Sequence, residues 1–196
     1  MRLYNFFHRE LQFVTRKIFC EKEMVQRCIV QSNKQKKIIV LDFGCGEGIF
    51  SDIIHTAQYV QYVGVDKDFN SIKFAKKALK YNCCIVANET LCFRNNVFDI
   101  VILNNVLHHM TIEKRSLLIT EIRRTMNRGA LLIVIELVPR REQKGLFFRF
   151  ITFMEEKFHK ISYCDREFLN NFLEAEFKRI SCEKLNANFI GCIFSN

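Results

Sequence analysis

The chain has 196 residues, 49% of them hydrophobic, with 20 phenylalanines, seven glycines and one proline. That size gives one compact domain with a real core, and the composition leaves no flexible linker. The formal net charge is +9, no apolar run approaches the roughly 18–20 residues that cross a bilayer, and Met1–Arg9 has neither an apolar signal core nor a small-residue cleavage site. A soluble cytoplasmic protein is therefore expected.

Residues 4–31 carry apolar positions at mixed three- and four-residue spacing with basic residues between, which predicts helix, in one piece or two. Much of the positive charge lies before residue 38. The plain reading is a solvated helix face. A weak contact of this basic region with an anionic membrane surface or with nucleic acid is the other reading it permits.

Strands and helices then alternate. Ile38–Leu41 is an apolar run that reads as a buried strand, followed by a glycine-rich turn and a helix starting near Ile49. Tyr59–Val65 reads as a second strand ending at Asp66, Asn70–Leu79 as a helix, Cys83–Ala87 as a short third strand and Phe98–Leu103 as a fourth. Ile112–Met126 is amphipathic, and Gly129 stands where a helix C-terminal glycine belongs. Leu131–Val138 is a fifth strand, Gly145–Phe158 and Arg166–Leu173 are helix-like, and Phe177–Glu183 with Asn188–Phe194 read as a terminal hairpin turning near residues 185–187. Continuous apolar strands alternating with helices predict an α/β fold, a doubly wound and mostly parallel sheet covered on both faces, closed by an antiparallel hairpin. The single domain divides into an N-terminal helical cap (1–36), a core (37–138), a helical lid region (139–174) and the hairpin (175–196).

The nine cysteines are odd in number, form no C-x-x-C pair and sit partly in apolar strands. They predict reduced thiols, with neither a disulfide framework nor a metal site.

The chemistry-bearing residues gather at strand ends. Leu41-Asp42-Phe43-Gly44-Cys45-Gly46-Glu47-Gly48 places three glycines in five positions after a strand. Glycines allow a sharp turn and close approach of backbone to a ligand, and a following helix start offers free N–H groups. The dinucleotide fingerprint G-x-G-x-x-G would need glycine where Ile49 stands, so the spacing favours a different nucleoside cofactor. About 20 residues on, Val63-Gly64-Val65-Asp66 puts an acid at the end of the second strand, where a carboxylate can accept both hydroxyls of a ribose. The competing role for Asp66 or Asp68 is a helix N-cap. Asn104-Asn105-Val106-Leu107-His108-His109 lies at the end of the fourth strand, beside the same crevice.

In their order and spacing these segments resemble the class I S-adenosylmethionine-dependent methyltransferases, over roughly residues 38–138. Val97-Phe98-Asp99-Ile100-Val101, Val106-Leu107-His108-His109 and Met126–Val134 resemble the small-molecule branch, which includes quinone-biosynthesis and natural-product enzymes. The resemblance implies a Rossmann-like fold with seven strands, S-adenosylmethionine as cofactor and a small, partly apolar acceptor methylated on oxygen or carbon. It implies that Asp42 and the backbone of Gly44 and Gly46 hold the methionine end, that Asp66 binds the ribose, that Lys67 lies near the adenine and that Asn104 offers backbone contacts near the sulfonium. The family's acid after the third strand is replaced by Ala87, with Asn88 next to supply an amide oxygen. His108 and His109 are the candidate bases, with Glu136 a further group at the end of the fifth strand. The chain lacks the Asn/Asp-Pro-Pro-Tyr tetrapeptide of amino-directed base methyltransferases, which sets a nucleic-acid acceptor second. A non-catalytic binding or assembly role on the same scaffold is the alternative outside enzymes.

Overall fold

The computed structural model describes residues 21–32, 36–50, 59–79, 83–85, 91–138, 142, 146–159, 166–185 and 188–196. The predicted cap before residue 21, the helix expected after Ile49, Ala87, Asn88 and the hairpin turn at 186–187 lie outside the described residues.

In chain order the elements are α1 (Glu21–Gln31), β1 (Ile38–Phe43), β2 (Val60–Asp66), α2 (Phe69–Leu79), β3 (Cys83–Ile85) and β4 (Phe98–Asn104). There follow a 3-10 turn (Leu107–His109), α3 (Ile112–Thr125), β5 (Met126–Leu137), α4 (Leu146–His159), α5 (Arg166–Glu174), β6 (Lys178–Lys184) and β7 (Phe189–Ser195). The seven strands form one sheet in the order β3-β2-β1-β4-β5-β7-β6. β1 pairs in parallel with both β2 and β4, and β7 runs against the other strands, antiparallel to both β5 and β6. The order reverses between β1 and β4. There the chain leaves the sheet in opposite directions and opens the crevice in which α/β sheets bind ligands.

The central strands are apolar on both sides because both sides are covered. One face carries Val40, Tyr62, Ile100, Ile102, Ile133 and Ile135, packed by Met24, Val25, Cys28 and Ile29 of α1. The other carries Leu41, Val101, Leu103, Leu132 and Val134, packed by Leu118, Ile119 and Ile122 of α3 and by Leu169 and Leu173 of α5. α1 rides close to the sheet: a side chain at Gly191 of β7 would meet Met24 Sδ at 2.6 Å.

Two expectations are corrected here. α3 passes directly into β5, so Gly129 does not end a helix. It lies within β5, at φ +74, where the register against β4 jumps from Phe98↔Met126 to Ile100↔Leu131. The left-handed backbone that Gly129 takes at this register shift is also the one that ends many helices, so the sequence signal is shared. Second, Cys182 and Cys192 are joined by a disulfide. They are register partners across the β6–β7 hairpin, and that pairing supplies the proximity. Cys28 and Cys92 stay reduced, as expected.

Asp99 pins the far end of the sheet. It accepts from the Ile39 N–H at 3.0 Å, from Lys36 Nζ at 3.1 Å and from the Asn127 amide at 3.0 Å. Partial burial would raise its carboxyl, but these donors outweigh burial and lower it. This aspartate is structural, at the opposite end of the strands from the crevice.

Candidate active site

The glycine loop is shaped by what packs under it. Gly44, Gly46 and Gly48 have φ of +76, +52 and +78, conformations that side chains resist. At Gly44 a Cβ would also meet Val106 Cγ2 at 2.5 Å, so this glycine lets β1 and the β4 strand end approach. At Gly46 a Cβ would meet nothing within 4 Å, so this part of the loop faces open space. Cys45, between them, is buried and packs on Ile72 and Ala75 of α2. Gly64 makes room for it, since a Cβ there would meet Cys45 Sγ at 2.9 Å.

The N–H groups of Gly44 and Cys45 both donate to the Val65 carbonyl, at 2.7 and 3.0 Å. The Gly46 N–H donates to Asp66 Oδ2 at 2.8 Å, and the Asp68 N–H donates to Asp66 Oδ1 at 2.8 Å. Asp66 is thereby aimed along the loop, each oxygen keeping acceptor capacity. The N-cap role falls to Asp68 instead. It accepts from Asn70 N, Ser71 N and Ser71 Oγ at the start of α2, and the Ser71 hydroxyl leads in lowering its carboxyl. Lys67 is exposed beside them.

Asp42 lies on the sheet face that bears Tyr62, 1% exposed. Tyr62 Oη donates to its Oδ2 at 2.6 Å, while Oδ1 is buried with no hydrogen-bond partner among the described residues. Burial pushes this carboxyl up to about 7, the Tyr62 hydroxyl pulls against that, and the negative charge of Asp66 adds to it. An orphaned buried oxygen is costly and asks for a donor or a cation.

Asn104 ends β4 on the same face, since Asp42 pairs with Ile102 two residues earlier. Its amide lies 3.4 Å from Glu21 Oε2, and its carbonyl oxygen accepts from the Asn105 amide at 3.0 Å. Asn105 takes φ +56 and donates its N–H to the Ile135 carbonyl, which turns the chain out of the sheet. Glu21, the first residue of α1, is 4% exposed. Burial raises its carboxyl to about 7, and the Asn104 contact offsets part of that. No motif marks this residue. An acid in a helix's first turn also suits the helix dipole, so the sequence signal is ambiguous.

The two histidines part company. His108 is 3% exposed, and its Nδ1 lies 2.6 Å from Glu136 Oε2. Glu136 Oε1 accepts the N–H groups of Val106 at 3.1 Å and Leu107 at 2.7 Å. A carboxylate can only accept, so Nδ1 carries the proton and Nε2 is the basic nitrogen. Glu136 is fully buried, with both carboxyl oxygens turned toward this 3-10 turn. Arg115 of α3 secures the same turn, donating from Nε to the Leu107 carbonyl at 2.8 Å. His109 is exposed, its ring 4.0 Å from that of His108.

The structure thus brings Asp42, Gly44, Gly46, Asp66 and Asn104 to one strand edge, adds Glu21, and sets His108 with Glu136 behind. An orphaned acceptor, an open glycine position and an aimed aspartate fit a ligand with a cationic end and a ribose-like diol.

Residues 41–134 match the family model of the methyltransferase domain. An uncharacterized protein of Methanocaldococcus jannaschii is 29% identical over 132 residues; the match covers 67% of this chain and about half, 54%, of that protein. A SAM-dependent methyltransferase of Aquifex aeolicus superposes with a TM-score of 0.67 at 15% identity, covering 90% of this chain and 89% of that one. An O-methyltransferase family 2 protein of Planctomyces limnophilus, solved with apigenin, superposes with a TM-score of 0.67 at 13% identity, covering 83% and 52%. The shared architecture is the Rossmann-like α/β fold.

Proposed function

We propose that this chain, whose residues 41–134 match the methyltransferase-domain family model, is an S-adenosylmethionine-dependent methyltransferase acting on oxygen or carbon of a small, partly apolar acceptor. The observation that carries the cofactor half is the orphaned Asp42 Oδ1 beside the open glycine loop. A methionine ammonium supplies the donor that this oxygen lacks. Asp66 accepts from the ribose hydroxyls, with Lys67 beside the adenine and the Asn104 backbone near the sulfonium. Since the N–H groups of Gly44 and Gly46 already donate to Val65 and Asp66 of β2, their part in holding the methionine end falls to their carbonyls.

The cofactor supplies an activated methyl group with a neutral thioether as leaving group. The protein's work is then to hold an acceptor atom in line and to exclude water, so positioning carries most of the rate. A base is needed only where the acceptor atom bears a proton. His109 is the accessible imidazole, and the buried His108–Glu136 pair orients the turn beneath it.

A small acceptor is supported by the apigenin bound to the Planctomyces limnophilus protein, and by Phe150 and Phe153, which leave aromatic surface exposed on α4. In this reading the acceptor pocket draws on residues 1–30 and 139–165, many of which lie outside the described residues. No helix among the described residues is long and apolar enough to cross a membrane.

The test begins with calorimetric titration of S-adenosylmethionine, where binding is expected. An acceptor screen with a labelled methyl group follows, spanning phenols, quinol-like rings, carboxylates, tRNA and protein. Labelling confined to tRNA or protein would overturn the small-acceptor reading, and absence of cofactor binding would overturn the enzyme reading.

A further inference from the structure

The cofactor reading leaves Glu21 without a task, although its position is costly. A carboxyl 4% exposed at the start of a helix must be balanced by donors or by a cation. Its hydrogen-bond partner among the described residues is one neutral amide, that of Asn104, at a long 3.4 Å. Asp42 sits on the same face of the sheet, and its Oδ1 is likewise buried and has no partner. The two acids come from different elements, α1 and β1, and flank the end of β4 from which Asn104 projects. Val106 touches the loop at Gly44, while Gly46 faces open space.

Burial of two acids at one strand edge is compensated when positive charge enters between them. The methionine end of the proposed cofactor carries two such charges, an ammonium and a sulfonium. After transfer only the ammonium remains, because the sulfonium becomes a thioether. An acid that faces the sulfonium therefore distinguishes the cofactor before transfer from the product after it.

We propose that Glu21 is a specificity-determining residue that, paired across the strand edge with Asp42, selects the sulfonium form of the cofactor over the demethylated product. Asp42 takes the ammonium, common to both forms. Glu21 reads the charge that changes, and its loss of a partner after transfer favours product release. Burial raises both carboxyls to about 7, so each is ready to ionise when positive charge arrives. This inference rests on the cofactor reading above.

The experiment is titration calorimetry of the full chain with S-adenosylmethionine and, separately, with S-adenosylhomocysteine, for the wild type and Glu21→Gln. Glutamine keeps the shape and the Asn104 contact but not the charge. Loss of a hydrogen bond or contact to a charged group weakens affinity by about tenfold or more. That loss is expected for S-adenosylmethionine, with at most about a threefold loss for S-adenosylhomocysteine by the same scale. Equal losses for the two ligands, or none for either, would overturn the role given to Glu21. Failure of the wild type to bind either ligand would instead overturn the cofactor reading beneath it. Glu21→Asp, which keeps the charge on a shorter stem, should hold the preference for S-adenosylmethionine more strongly than Glu21→Gln. It decides the matter if circular dichroism shows the glutamine variant unfolded.

Discussion

The two faces of the sheet's carboxyl edge handle buried acids in opposite ways. On the face that packs α3, Glu136 is fully buried and accepts three donors, from Val106, Leu107 and His108. On the face that packs α1, among the described residues Asp42 keeps one oxygen without a partner and Glu21 has a long contact with an amide. The first arrangement is complete within the protein, and the second is incomplete. A buried acid that the fold satisfies is scaffold, and one that it leaves short is a place for a ligand.

The largest expected effect breaks the complete side. Glu136→Ala strands two backbone N–H groups and the His108 ring in the core. At about 1–3 kcal/mol for each unsatisfied donor, the variant should lose at least about 3 kcal/mol in urea unfolding.

The incomplete side should answer with the opposite sign. Folded Asp42 holds its proton up to about 7, against an ordinary value of 3.8. Its raised carboxyl therefore favours the folded state below pH 3.8, and that contribution declines between 3.8 and about 7 and levels off above it. Asp42→Asn removes this slope. Without ligand at pH 8 it should be more stable than the wild type by on the order of 1–3 kcal/mol, while its affinity for S-adenosylmethionine falls. A variant that is less stable at pH 8 and equally able to bind would refute the contrast between the faces.

The glycines sharpen the comparison at smaller scale. Gly44→Ala drives a methyl into Val106 and should cost about 2–3 kcal/mol. Gly46→Ala meets open space and should cost only its backbone strain, about 1 kcal/mol. Thermal melts would rank the two, and cofactor titration should show that Gly46→Ala still impairs binding.

The smallest stability change should come from the exposed histidine. His109→Ala is expected to stay within about 0.5 kcal/mol of the wild type and to keep cofactor affinity. A large fall in turnover would then mark it as the base. Full turnover in both His109→Ala and His108→Ala would remove histidine from the reaction.

Much of this was legible in the chain itself. Apolar runs such as Ile38–Leu41 and Phe98–Leu103 read as strands covered on both faces, and the strand ends mark Asp42, Asp66 and Asn104. What escaped depended on which face a side chain takes. Period-two alternation along β5 sends Glu136 to the α3 side, but the sequence does not say which side holds the crevice. Glu21 escaped because a helix that merely covers the sheet and one that delivers an acid to its edge share the same periodicity. Gly129 misled because a bulge and a helix end both call for positive φ. The Cys182–Cys192 bridge depends on hairpin register, which the spacing of two cysteines does not reveal.

The near-contact of Met24 with Gly191 acquires a meaning beyond packing. Gly191 pairs with Ile135, and Ile135 pairs with Asn104, so the three form one transverse row across β7, β5 and β4. α1 spans that row, resting on Gly191 through Met24 and reaching Asn104 through Glu21. It lies across the sheet like a beam resting on the hairpin, and a side chain at position 191 would displace the Met24 thioether at that point of rest.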